Sequence, residues 1–147
     1  MIVLYVRVCV TVLMLLGLSQ AENKTKCEVV QALRAQRVPD YDLRNWLCLV
    51  DQESSYEYDL IKYNDFGIFQ LNRDVWCNKT NGYPGTTCWK LNTYGCLDLC
   101  NSFLDADISN DANCAVRIRN CDGFQPWFGW RDRCHDVSGP EYDYTDC

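Results

Sequence analysis

Histidine is almost missing from this chain of 147 residues: His135 is the only one, and no two of the eleven cysteines form a Cys-x-x-Cys pair. The nearest approach is Cys96-Leu97-Asp98-Leu99-Cys100. A structural zinc held by thiolates needs such pairs or a second imidazole, so the cysteines are not read as a metal framework. Long apolar runs are also scarce. The one present, Val8 to Leu18, is well short of the ~20 residues that span a bilayer, and no second run follows it. Low-complexity tracts and internal repeats are absent too, which leaves a single domain with enough Trp, Tyr, Leu and Val for a sizeable core.

The run has the marks of a leader rather than an anchor. Arg7 precedes it, and Ser19-Gln20-Ala21 supplies the small residues that a signal peptidase requires, so residues 1–21 read as a signal peptide and 22–147 as the mature, secreted domain. Cys9 leaves with the leader. The ten cysteines that remain are an even number in an oxidising compartment, which points to five bridges whose connectivity spacing alone does not give. Arg7 leaves as well, so 13 basic residues face 20 acidic ones, a net charge of −7. Such a surface repels nucleic acid and anionic membranes, and neither is expected as a partner.

Thr25-Lys26-Cys27-Glu28 has capping-box spacing before Val29, Val30 and Leu33, and Pro39 closes the segment, which predicts a helix near 26–36. Leu43, Trp46, Leu47 and Val50 continue at helical intervals. Tyr56 to Asn72 is rich in Tyr, Phe and Ile and broken at Asn64-Asp65 and Gly67, as short strands with a turn would be. Residues 78–95 carry Asn-Gly and Pro-Gly, a loop signature, and helical spacing returns at Ile108 to Ile118 and Phe124 to Trp130. Helices, a small sheet, then helices make an α+β pattern. In it Glu53 falls near a helix end and Asp65 in the strand region. Two carboxylates in unlike surroundings are what glycosidic bond cleavage uses, while the competing reading is a pair of solvated surface acids among twenty.

Several ordered motifs decide between these readings. Asn45-Trp46-Leu47-Cys48 with Glu53, Asp65-Phe66-Gly67-Ile68-Phe69-Gln70-Leu71-Asn72 with Trp76-Cys77, Cys96-x-x-x-Cys100, and Gly123-Phe124-Gln125-Pro126-Trp127-Phe128-Gly129-Trp130-Arg131 together resemble the c-type lysozyme and α-lactalbumin family over the whole mature length. The resemblance implies a helical lobe and a small antiparallel sheet lobe flanking a cleft. It implies the bridges Cys27 with Cys147, Cys48 with Cys134, Cys77 with Cys100, and Cys96 with Cys114. Cys88 and Cys121 are then left over, and a fifth bridge between them would tie a long loop to the cleft rim.

By the same resemblance Glu53 is the general acid, kept protonated by apolar surroundings that include Trp127, and Asp65 the ionised nucleophile or stabiliser, the division of labour for which lysozyme is the standard worked case. Gln70, Asn72, Trp76 and Trp127 match substrate-binding positions. Trp46 and Trp130 are assigned to packing. The implied substrates are β-1,4-linked peptidoglycan or chito-oligosaccharides, turned over by a monomer that requires no cofactor. Phe103 to Asp111 resembles the calcium loop of some family members, with Asp105 and Asp111 matching side-chain ligands, Ser102 and Asp107 carbonyl ligands, and Asn110 replacing a carboxylate. Helix capping is the competing reading of that loop. Asn23 and Asn78 head N-glycosylation tripeptides.

The chain also departs from the family pattern. Only twelve positions separate Glu53 from Asp65, a trimmed hairpin next to the second acid. Val75 stands where relatives commonly carry an aromatic ring, and the acidic charge removes long-range attraction to anionic cell walls. These departures favour either an acid-working digestive enzyme or a protein that keeps the fold as a sugar-binding or regulatory module without turnover.

Overall fold

The Thr25–Glu28 capping box forms. The Glu28 N–H donates to Thr25 Oγ1 (3.2 Å) and the Thr25 N–H to Glu28 Oε2 (2.8 Å), which starts helix α1, Lys26–Ala35. The computed structural model describes residues 23–77, 87–88, 93–94 and 96–147, with only the backbone at 87, 88, 93 and 94. Residues 1–21, expected to be a leader, the Asn78 tripeptide and the side chain of Cys88 lie outside the described residues.

Helix α1 stops four residues short of Pro39, which instead occupies the N-cap position of α2, Asp40–Ser54. With its φ preset and its missing N–H harmless there, proline suits a helix beginning better than an interior. Helix α2 is the central element. Leu43, Trp46, Leu47 and Val50 recur at helical spacing and are fully buried, each worth about 1.5–3 kcal/mol of burial. Left-handed backbone at Ser55 (φ 52°) and Tyr56 (φ 68°) ends the helix two residues past Glu53.

The chain then forms three two-residue strands, β1 (Ile61–Lys62), β2 (Asp65–Phe66) and β3 (Leu71–Asn72), paired antiparallel in the order β1-β2-β3. Asp65 pairs with both Lys62 and Asn72 across this sheet. A second pair, β4 (Thr87–Cys88) and β5 (Thr93–Tyr94), is also antiparallel. A 3₁₀ turn, Cys100–Phe103, leads to α3, Ser109–Asp122, and then α4, Phe128–Arg133. The helical spacing from Phe124 to Trp130 had suggested an earlier start for α4. Pro126 explains the difference, since it removes an N–H and its ring clashes with the carbonyl four residues back, so 123–126 form turns.

The architecture is α+β, a helical lobe joined to a small antiparallel sheet lobe. Trp46 sits at the centre of its aromatic core, edge-on to Phe69, Phe124 and Trp127 at centroid distances of 5.8, 4.9 and 5.9 Å. Trp130 stacks on Phe124 at 5.0 Å. Disulfides join Cys27–Cys147, Cys48–Cys134, Cys77–Cys100 and Cys96–Cys114. Cys121 is also disulfide-bonded. Among the described residues no helix is long and apolar enough to cross a membrane.

Candidate active site

Two hydrogen bonds set the angle between the lobes. Buried Ser54, next to Glu53 at the end of α2, donates from Oγ to the Ile68 carbonyl (2.7 Å) in the turn between β2 and β3. Trp127, just before α4, donates from Nε1 to the Phe69 carbonyl in that turn (2.8 Å). These ties hold open a cleft of about 350 Å³, lined by Glu53, Asp65, Gln70, Asn72, Val75, Trp76, Pro126, Trp127 and Phe128. The two acids enter it from different lobes.

Glu53 stands in the last turn of α2 against α4. The Gly129 N–H donates to its Oε1 (2.8 Å), and a Cβ at residue 129 would come within 2.9 Å of the same oxygen, so only glycine leaves that approach open. Burial raises the Glu53 pKa above the ordinary carboxylate value. The nearby Asp65 charge raises it further, while the Gly129 N–H and Lys62 oppose.

Asp65 lies on β2, facing Asn72 of β3, whose Nδ2 donates to Asp65 Oδ1 (2.6 Å). Burial raises this carboxyl too, and Asp74 adds to the rise, whereas the Asn72 amide and Lys62 pull it down. The resemblance had implied a polar setting that keeps Asp65 ionised, as against an apolar one for Glu53. Both carboxyls instead move upward for the same first reason, and their contrast lies in what opposes the shift. For Glu53 it is a backbone N–H, and for Asp65 a side-chain amide.

The other anticipated cleft residues divide by what their polar groups do. Asn72 has both ends of its amide engaged within the protein, Nδ2 on Asp65 and Oδ1 accepting from the Asp74 N–H (2.9 Å), so it orients the carboxylate. Gln70 is buried and donates from Nε2 to Gly67 O (2.7 Å), while its Oε1 has no partner. Trp127 is only 5% exposed and forms the apolar floor behind Glu53. Trp76 is half-buried on the sheet wall. Gly129 and Phe128 were not anticipated. Helical spacing did not single out Phe128: it stands four residues after Phe124, a position that the period assigns to the same apolar face.

The acidic loop before α3 is built as a set of caps. Asp105 Oδ1 accepts from the Asp107 N–H (2.8 Å), Asp107 Oδ1 accepts from the Ser109 N–H (3.1 Å), and Asn110 Nδ2 donates to the Ser102 carbonyl (2.9 Å). Asp111 is wholly buried, with neither carboxyl oxygen partnered. A Cβ on Gly67 would meet the Asp111 Oδ1 at 2.6 Å and the Phe103 carbonyl at 2.3 Å, at a backbone φ of +73°. Burial first, then Asp105, Asp107 and Asp98, push the Asp111 pKa up to about 8. Among the described residues the acids of this loop do not gather as metal ligands. The one group that does, Cys27, Asp146 and Cys147, has its sulfurs joined in a disulfide. The two unpartnered oxygens of Asp111, near enough to Asp105, Asp107 and Asp98 for those charges to raise its pKa, keep the calcium reading of this loop beside the capping one.

The C-type lysozyme/alpha-lactalbumin family model matches residues 22–147. The chain is 35% identical over 123 residues to a lysozyme of Galleria mellonella, covering 80% of this chain and 94% of that one. It is 37% identical over 134 residues to a lysozyme of Hyalophora cecropia, covering 86% and 87%. The crystal structure of canine milk lysozyme, holo-type, superposes with a TM-score of 0.64 at 27% identity, covering 80% of this chain and 93% of that chain. By sequence and by fold the chain belongs to the C-type lysozyme/alpha-lactalbumin family, and it is a glycoside hydrolase of the lysozyme type.

Proposed function

We propose that the protein is a secreted, monomeric lysozyme that hydrolyses the β-1,4 bonds of bacterial peptidoglycan, with chito-oligosaccharides as a second substrate class. The observation that carries this reading is the cleft itself: Glu53 and Asp65 enter it from opposite lobes, each held by one hydrogen bond in a desolvated setting. Glu53, with its pKa raised by burial, donates a proton to the glycosidic oxygen as the bond breaks. Asp65, oriented by Asn72, captures or stabilises the positive charge at the anomeric carbon. Glu53, now ionised, takes a proton from water, and that water completes a retaining hydrolysis. No step calls for a cofactor. The leader and the disulfides support secretion.

This chemistry needs Glu53 protonated and Asp65 ionised. The rate is therefore bell-shaped in pH, Asp65 setting the acid limb and Glu53 the alkaline limb. Both groups are raised, so both limbs lie above the ordinary carboxylate positions. Hydrolysis of purified peptidoglycan from acidic to neutral pH, comparing wild type with Glu53→Gln and Asp65→Asn, tests the assignment. Glu53→Gln lowers kcat by about 10²-fold or more. A folded wild-type protein with no turnover would sink the hydrolytic reading and leave a sugar-binding or regulatory module.

A further inference from the structure

Phe128 is 70% exposed although it stands in the wall of the cleft. The core does not include its ring: Phe124, Trp127 and Trp130 point inward from the same segment, and Phe128 joins none of their contacts. One face is covered by Arg131, whose guanidinium carbon lies 4.0 Å above the ring centroid, one helical turn along α4. That contact leaves the opposite face bare. The next residue, Gly129, holds Glu53 through its N–H, and Phe128 and Glu53 line the same cleft.

Keeping an aromatic ring in water forgoes the burial that a Phe side chain otherwise gains. In a sugar cleft the gain is recovered when the apolar C–H face of a pyranose covers the ring, and ligand sites are characteristically lined by such aromatic faces. The opposite wall offers Trp76 but has Val75 beside it, a side chain with no ring to stack on. The distribution of aromatic surface is thus shifted toward the helical wall.

We infer that Phe128, held in place by Arg131, is the specificity-determining stacking platform for the N-acetylhexosamine ring seated beside Glu53, in place of a stacking surface at Val75. The inference rests on the hydrolase reading for its role in turnover, but it predicts sugar binding independently of turnover.

The test uses the full mature protein with tri-N-acetylchitotriose as binding probe and purified peptidoglycan as substrate. Phe128→Ala weakens chitotriose binding and raises KM by roughly tenfold, with kcat changed less than about twofold. Because the ring lies outside the core, its melting temperature stays within about 2 °C of wild type. Phe128→Trp restores binding, and Arg131→Ala, which frees the ring to rotate, gives an intermediate loss. Wild-type affinity and KM in Phe128→Ala would overturn the platform, as would a fall in kcat with KM unchanged. Weakened chitotriose binding in Phe128→Ala alongside a wild type that hydrolyses nothing would uphold the platform while removing the hydrolase reading.

Discussion

The two walls of the cleft are built to different standards. Glu53 rides on a helix of fifteen residues whose inner face is buried without exception from Trp46 to Val50, and Cys48, five residues earlier, is bonded to Cys134 at the end of α4. Asp65 rides on a strand of two residues next to a hairpin whose tip leaves Tyr63 91% exposed. The first wall takes its geometry from the core and passes it to the carboxyl through a backbone N–H. The second depends on one side-chain amide, that of Asn72. A proton donor tolerates little displacement, whereas a stabilising carboxylate acts over distance through its charge, so the more rigid support lies where geometry matters most.

The strongest way to break this contrast is to unpin the helical wall. Replacing Cys48 and Cys134 together by alanine removes a link across 86 residues and costs about 2–5 kcal/mol, read as a lowered melting temperature. Packing alone would be shown to hold that wall if the double variant melted within about 2 °C of its parent.

Much of the helical wall was legible in the chain because its signals are local. A capping box, helical spacing of Leu43, Trp46 and Val50, and a proline between two helices each act through a few bonds, and the structure shows each in place. The sheet wall was less legible. Its strands are two residues long, too short for alternation to show, and the turn at Gly67 is set by a carbonyl and a carboxyl from Phe103 and Asp111, far along the chain. The site divided in the same way. Motif positions marked Glu53 and Asp65, but not that Asn72 faces Asp65 or that Gly129 touches Glu53, because both contacts require the folded register. The acidic loop carried two readings in the sequence because Asp and Asn serve both as helix caps and as oxygen ligands, and the capping bonds of Asp105 and Asp107 needed the folded loop to be seen.

Gly129→Ala sharpens the comparison without unfolding anything. The new Cβ falls 2.9 Å from Glu53 Oε1, and the flexible end of Glu53 yields rather than the helix. Fold stability is therefore retained while the proton donor is displaced, and kcat falls by roughly tenfold with KM little changed. Steady-state kinetics beside a thermal melt separate the two effects. A variant that lost melting temperature and kept kcat would show that Gly129 serves packing instead.

Behind the sheet wall, Asp111→Asn tests whether the buried acid burdens the lobe junction. Its folded pKa, about 8, lies above the ordinary 3.8, so between those values the folded chain holds a proton that the unfolded chain has released. Stability consequently falls as pH rises through that window. The amide carries no such penalty. The variant's melting temperature at pH 8 is expected to exceed the parent's by about 4 °C, with the difference vanishing toward pH 4. A decrease in melting temperature instead, appearing only with calcium present, would establish the loop as a cation site.

Asn72→Ala has the smallest effect on maximal rate and the most specific one on its pH dependence. The Asn72 amide lowers the Asp65 pKa, so its removal lets burial raise that pKa further. Protonation of Asp65 as pH falls then begins at higher pH, and the acid limb of the activity profile moves upward. The alkaline limb belongs to Glu53, whose donor Gly129 is untouched, and it stays in place. The profile narrows from the acid side alone, which a pH series of peptidoglycan hydrolysis would read directly. Displacement of the alkaline limb, or of both limbs equally, would mean that the two carboxyls titrate as one coupled pair and that the walls are not independent supports.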